Sequence, residues 1–418
     1  LVGSEMCIRD RAKVESYYTV MKFSNRILGM QYSPIRKLVP LIDKAKKEGV
    51  TVYELHIGQP DVKTPDTFFE GLNNFKEKIV KYANSAGLLE LRESFSKSYE
   101  KSEIDITPDE MLITHGGSEA IQITLQTICN PGDEILIPEP YYTNYESFLK
   151  TAEAVLVPIE TSIENHYHLP EKEEIEKLIT PRTKAIMFSN PSNPTGIVFT
   201  AKEVEIIKEI AIKHDLCIIS DEVYRQFIYD EEIEYKSFMT IPEISDRTIL
   251  IDSISKHYSA CGARIGVLAS KNKEFIAQAL KLCQARLSVS TIEQIASSNL
   301  INTLDTYIDN VRLEYKVRRD LMYNHLKEIP GIVSFKPSSA FYIVAELPVD
   351  NIENFIKWLL TEFRYKNQTL SFATGPGFYS QKGKGTKEAR FSFCTHNLTE
   401  IENGMKVLKK ALEAYNNR

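Results

Sequence analysis

Residues 184–222 read KAIMFSNPSNPTGIVFTAKEVEIIKEIAIKHDLCIISDE: an apolar run, a proline-containing loop, a helical pattern and a second apolar run. The runs 184–190 and 216–222 are nearly continuous in apolar residues, as expected of strands covered on both faces. Between them Thr200 and Glu203 form a capping box that opens a helix over 201–214. The alternation extends both ways, with further strand candidates at 110–115, 134–139, 154–160, 248–255 and 263–269 and helical patterns between several of them. The expected fold class is α/β, a three-layer α/β/α large domain with a mostly parallel sheet. After about 290 the character changes to a long helix (305–329), strand-like 340–346, a helix at 351–363, strand-like 369–373 and 389–394, and a last helix near 398–416. That order suggests a smaller α+β domain. No Gly/Ser/Pro-rich linker marks the boundary, so a long shared helix is expected there.

Composition narrows the function. The 418 residues give room for two to three domains at roughly 150 each. Lys plus Arg is 51 and Asp plus Glu is 57, a formal charge of −6, which argues against a nucleic-acid or anionic-membrane binder. No apolar run approaches the roughly 20 residues that span a bilayer. Cysteines at 7, 129, 217, 261, 283 and 394 are scattered, without CxxC or a companion His, so neither a metal site nor a disulfide framework is expected. The opening LVGSEMCIRDR has neither helix nor strand period and no signal-peptide core. It resembles an adapter-derived artefact of sequence assembly. Residues 1–20 are therefore set aside as a non-native extension, with a native start expected at Met21 and a cytoplasmic location. The remaining expected divisions are 21–68 (N-terminal arm and part of the small domain), 69–306 (large domain) and 307–418 (small domain).

Five segments carry candidate chemistry. In 251–266, IDSISKHYSACGARIG, Lys256 directly follows an apolar strand and Arg264 lies eight residues later. An amine so placed suits a Schiff-base nucleophile, or equally a solvated loop lysine. In 113–119, ITHGGSE, Gly116, Gly117 and Ser118 precede a helical pattern, which suits a tight turn or an anion on backbone N–H groups. The sequence matches neither GxGxxG nor GxxxxGK[ST], so dinucleotide and triphosphate sites lack support. SNPSNPTG (189–196) constrains Asn193 between prolines. Asp221 ends an apolar strand, where a bare carboxylate needs a partner or caps the next helix. Arg390 sits in a strand-like run and offers a planar fork suited to a carboxylate.

In sequence order, Gly58-Gln59-Pro60-Asp61, Tyr82 with Gly87, Gly116-Gly117-Ser118, Asn193-Pro194-Thr195-Gly196, Asp221-Glu222-Val223-Tyr224, Ser253-x-Ser255-Lys256, Arg264 and Arg390 together resemble the class I/II aminotransferases, pyridoxal-phosphate enzymes of fold type I. The likeness covers about 30–415. It implies pyridoxal 5'-phosphate as cofactor, no metal, and transfer of an amino group from an amino acid to a 2-oxo acid by a ping-pong cycle. Lys256 would hold the cofactor and move the proton at Cα, with a pKa depressed by burial and by the cationic cofactor. Asp221 would pair with the ring nitrogen, and Asn193 and Tyr224 with the phenolic oxygen. Gly117, Ser118, Ser253 and Arg264 would bind the phosphate, Tyr142 would stack on the ring, and Arg390 with the Gly58 backbone would hold the substrate carboxylate. Tyr82 would reach the neighbouring subunit's cofactor, implying a homodimer with shared sites.

The overall likeness is to bacterial aspartate-aminotransferase-like proteins. Departures bear on the donor. Ser118 replaces the lysine some aspartate-using relatives carry, and Arg286 is either a substitute contact or a structural ion pair. Ser339 stands where many relatives have Gly. The loop 377–388 reads as mobile and near the entrance. His56, His115 and His257 lie beside the motifs, more simply as loop or core residues. A C–S β-lyase or a decarboxylase would use the same anchors and is the alternative.

Overall fold

The computed structural model describes residues 21–418 apart from His396. The strands are β1 (Thr51–Glu54), β2 (Met111–His115), β3 (Glu134–Glu139), β4 (Val155–Glu160), β5 (Thr183–Ser189), β6 (Cys217–Asp221), β7 (Thr248–Ser253), β8 (Ile265–Ala269), β9 (Val333–Ser334), β10 (Tyr342–Glu346), β11 (Gln368–Ser371), β12 (Ala373–Thr374) and β13 (Glu388–Ser392). Seven of them form one sheet in the order β2-β8-β7-β6-β5-β3-β4. All neighbours are parallel except β8, which runs antiparallel to both β2 and β7. The seven expected strands are those of this sheet, within one or two residues at each end.

Period-two geometry explains why these strands read as unbroken apolar runs. Ile135, Ile137, Ala185, Met187 and Ile219 pack on one face with helices Gly116–Ile128 and Lys273–Ala285. Leu136, Ile186, Phe188 and Ile218 face the other way, onto helix Ala201–Lys213. Both faces are dry, so neither parity can be polar. Each buried Ile or Leu contributes roughly 1.5–3 kcal/mol. The Thr200–Glu203 capping box is present at the start of the Ala201–Lys213 helix.

The C-terminal part forms a four-stranded antiparallel sheet, β12-β13-β10-β9, and β1 pairs in parallel with β11. Residues 38–55 and 311–415 share one hydrophobic cluster, so the start and end of the chain fold together. The 23-residue helix Asp305–Lys327 supplies Val311, Tyr315, Met322 and Leu326 to it. Tyr224, Phe227 and Tyr229, which follow β6, also enter this cluster and fasten the two sheets together. The strands read from sequence do not include β1, which is short and gains its partner only through β11, 317 residues away in register Thr51↔Gln368. The stretch 1–20 lies outside the described residues.

Candidate active site

The parallel strands β5, β6 and β7 all end at one edge of the large sheet, and each is followed by a chemically distinctive residue. Asn193 follows β5, Asp221 closes β6, and Lys256 follows β7; in register, Ser189 lies beside Asp221 and Asp221 beside Ile251. Ligands of open α/β sheets bind at such carboxyl ends. The same edge receives the end of β2 and the start of β8, because β8 runs in reverse: His115 pairs with Ile265.

A cradle is built there from small residues. Gly116 has φ +72°, and a Cβ on it would lie 2.3 Å from Arg264 Nη2. A Cβ on Gly266 would lie 2.3 Å from the Gly116 carbonyl carbon and 2.6 Å from the Gly117 nitrogen. Glycine is therefore required at both positions so that β8 can press against the first turn of helix Gly116–Ile128. Arg264 itself occupies the left-handed region at φ +53°, which an arginine adopts only under constraint. Its guanidinium donates to the carbonyls of His115 (3.3 Å) and Cys261 (3.2 Å) and stays exposed beside the helix N-terminus. Gly117 and Ser118 lie in the first turn of that helix. The Ser253 hydroxyl faces inward: it accepts from Ser255 N (3.1 Å) and lies 2.9 Å from the Ile265 carbonyl, so it caps the turn carrying Lys256.

Lys256 donates to the Gly58 carbonyl at 2.7 Å. Burial pushes its pKa down, but the neighbouring Tyr342, Cys261, Cys394 and Tyr142 outweigh it, and the net shift is upward. The depressed value expected from sequence is thus not a property of the protein groups alone, because acidic side chains ring the amine. Asp221 is buried and accepts from the Tyr145 hydroxyl at 2.7 Å and from Val223 N at 3.4 Å. Burial is the largest influence on it and raises its pKa to about 6, against the lowering by the two hydrogen bonds and by Lys256. Tyr142 is held by Asn144 (2.8 Å) and lies within the electrostatic reach of both Lys256 and Asp221.

The opposite wall comes from the small sheet. Arg390 is 2 % exposed; Nη1 donates to Asn193 Oδ1 and Nη2 to the His56 carbonyl, each at 2.9 Å. Its Nε has no partner. The guanidinium is held between the rings of Tyr342 (4.1 Å) and Phe378 (5.1 Å). The Tyr224 hydroxyl meets that of Tyr342 at 2.8 Å.

Lys256, Asp221, Tyr142, Asn193, Tyr224, Gly58 and Arg390 are thus neighbours, linked by hydrogen bonds, ring contacts and electrostatic influence, with the Gly117–Ser118–Arg264 cradle on the same sheet edge. Tyr82 stands apart: it is 80 % exposed and borders a surface cleft of about 540 Å³ with Phe75, Leu88 and Ile295. Arg286 forms a structural ion pair with Glu119 (3.1 Å) and donates to the Ile113 carbonyl. Of the three histidines, His56 lends its carbonyl to Arg390, His115 meets Glu119, and buried His257 has its pKa lowered to about 4 by burial. The loop 377–388, expected to be mobile, is fastened: Ser380 donates to Glu139, Gln381 to Glu160, and Tyr379 to Glu388. Glu139 and Glu160, from β3 and β4, anchor it from outside, and Glu388 at its own end holds Tyr379. Sequence reading missed Tyr145, Phe378 and the position of Tyr342; a polar phenol inside an otherwise apolar strand (FYIVAE) was the available signal for the last.

The chain resembles known proteins over most of its length. The family model described as aminotransferase class I and II matches residues 51–408. The aspartate aminotransferase of Geobacillus stearothermophilus is 28% identical over 94% of this chain and 100% of its own length. The aromatic-amino-acid aminotransferase 2 of Thermococcus litoralis is 32% identical over 93% of this chain and 99% of its own. Among solved structures, the alanine aminotransferase from Pyrococcus furiosus superposes with a TM-score of 0.85 at 31% identity, covering 94% of this chain and 100% of that one. The chain belongs to the class I and II aminotransferases and has their fold, that of fold type I. It is an enzyme, a transaminase. No helix among the described residues is long and apolar enough to cross a membrane.

Proposed function

We propose that this aminotransferase works with pyridoxal 5'-phosphate held in the cleft between Lys256, Asp221 and the glycine cradle, and moves an amino group from an amino acid to a 2-oxo acid such as 2-oxoglutarate. The observation that carries the reading is the convergence of Asn193, Asp221 and Lys256 at adjacent strand ends, facing Arg390. The residues fit the group. The cradle, whose close strand–helix packing needs glycine at 116 and 266, offers the N–H groups of a helix first turn and a guanidinium to a phosphate. Asp221, whose charge burial disfavours, gains a cationic partner in a protonated ring nitrogen. When bound, the cofactor supplies an aldehyde for an amine and a ring that takes up the electron pair left at Cα.

The protein's part is binding and proton handling. Arg390 fixes the substrate carboxylate through its fork, with Asn193 and the His56 carbonyl holding that fork in plane. Lys256 carries the proton at Cα once its amine is neutral. Asn193 and Tyr224 would serve the phenolic oxygen, Gly117, Ser118, Ser253 and Arg264 the phosphate, and Tyr142 the ring face. Tyr82, exposed and remote from Lys256, would complete the site of a second copy, making the enzyme a homodimer. We also place it in the cytoplasm. Aspartate is the first donor to test, given the Geobacillus relative, although Arg286 is committed to Glu119 and the other relatives are named for aromatic amino acids and alanine. The lyase or decarboxylase alternative is not favoured, since these relatives are all named as aminotransferases.

The test is a panel of aspartate, alanine, aromatic and branched donors with 2-oxoglutarate, on wild type and Lys256→Ala. Wild type is expected to use at least one donor. Lys256→Ala is expected to lose transamination by a factor on the order of 10⁴ or more, as when a covalent and proton-moving group is removed. Undiminished activity in that variant refutes the assignment.

A further inference from the structure

We propose that Tyr342 is a positioning residue of this active site: its ring holds Arg390 for the substrate carboxylate, and its hydroxyl backs that of Tyr224. The inference rests on the proposed function and deepens it.

Three independent observations meet at this side chain. The first is the stacking. Arg390 extends over the Tyr342 ring at 4.1 Å, its Nη atoms turned to Asn193 and His56 while Nε has no partner. A desolvated guanidinium over an aromatic face is held by the ring's electron density as well as by packing. The second is the phenol pair. Tyr342 is 3 % exposed, and its hydroxyl lies 2.8 Å from that of Tyr224. Two neutral phenols share one hydrogen bond, so donation by Tyr342 leaves the Tyr224 O–H free to donate into the cleft. The third is the space made for the hydroxyl. A Cβ on Gly58 would stand 1.8 Å from it, and the carbonyl of that same Gly58 receives Lys256 Nζ. The residue at 58 thus lacks a side chain where the phenol needs room. A tyrosine buried only for packing would not reach the carboxylate-binding arginine, the second phenol and the amine's anchor together.

The test uses the cofactor-loaded enzyme with Tyr342→Phe and Tyr342→Leu, each checked for wild-type-like melting. Tyr342→Phe keeps the ring and removes the hydroxyl. It is expected to lower kcat roughly three- to tenfold, the worth of one buried hydrogen bond, with KM for the donor changed less than about twofold. The pH midpoint of the cofactor's visible band should rise, because Tyr224 becomes a weaker donor. Tyr342→Leu is expected to raise KM roughly tenfold in addition, through loss of the guanidinium–ring contact. If Tyr342→Phe leaves both kcat and the midpoint at wild-type values, or if Tyr342→Leu changes KM no more than Tyr342→Phe does, the proposal is wrong. Activity in Lys256→Ala would instead strike at the underlying reading of the site, and the two failures are read from different proteins.

Discussion

The cradle and the Arg390 wall face the same cleft but are built on opposite terms. The cradle is defined by what is missing. Gly116 and Gly266 have no Cβ, so a strand and a helix turn come close enough to present backbone N–H groups beside an exposed arginine. The wall is defined by what is present: a buried arginine with both Nη atoms satisfied, two aromatic rings around it, and a carboxylate and an amine across from it. One half tolerates no added atom. The other tolerates no lost one. An anion with a fixed shape can be met by backbone alone, whereas a reacting substrate has to be held by groups whose charge and direction are set by side chains.

Gly266→Ala should break the cradle and produces the largest expected effect on the fold. Its methyl would meet backbone atoms of Gly116 and Gly117, which cannot rotate away as a side-chain end does. A loss of at least about 3 kcal/mol is expected, from overpacking at a buried strand. Denaturant unfolding of the cofactor-free protein checks this, and a change below about 1 kcal/mol would show that the close approach is not needed. At the wall the matching substitution is Arg390→Lys, which keeps charge and loses the fork. The expected outcome is a fall of roughly a hundredfold in kcat/KM for every donor, with stability less affected, since an ammonium cannot reach Asn193, the His56 carbonyl and a carboxylate in one plane. Steady-state kinetics across the donor panel separate a uniform loss, as expected for the shared α-carboxylate, from a donor-specific one.

The two regions also differed in how legible they were. The large sheet could be read in full because its strands are dry on both faces and therefore unbroken in sequence. The cradle was visible as Gly116-Gly117-Ser118 and Arg264, since glycine runs before a helix are local signals. The wall was legible only in part. Arg390 and Asn193 were flagged, but the stacking of Tyr342 and Phe378 on the guanidinium arises from segments near 342, 378 and 390 meeting across antiparallel strands and a turn. Tyr145 was hidden in the same way, because its bond to Asp221 joins residues 76 apart. The direction of the Lys256 shift was missed for a related reason: the phenols and thiols around it come from four separate stretches of chain. Local patterns reveal backbone devices, and side-chain clusters assembled from distant segments have no local pattern to read.

Asp221, across from the wall, offers the smallest and most informative test of the contrast, because the site's demand for charge works against the stability of the fold. Its folded-state pKa, about 6, lies above the ordinary carboxylate value of 3.8, so the folded chain keeps the proton that the unfolded chain releases. Well below the unfolded value of 3.8 both states are protonated and the residue is neutral in its effect. As pH rises from 4 to 6 only the unfolded chain ionises, unfolding is favoured, and the penalty is complete above 6. In the cofactor-free protein, wild type should therefore lose stability relative to Asp221→Asn across that window, by on the order of 2 kcal/mol. Urea titrations of both proteins at pH 4 and pH 7 measure the difference. Loading with pyridoxal phosphate should shrink it in wild type, since a cation placed beside the carboxylate lowers the pKa back toward its ordinary value. A gap that is the same at both pH values would mean that Asp221 is already charge-compensated by the protein, and the reason for a cationic partner at the end of β6 would disappear.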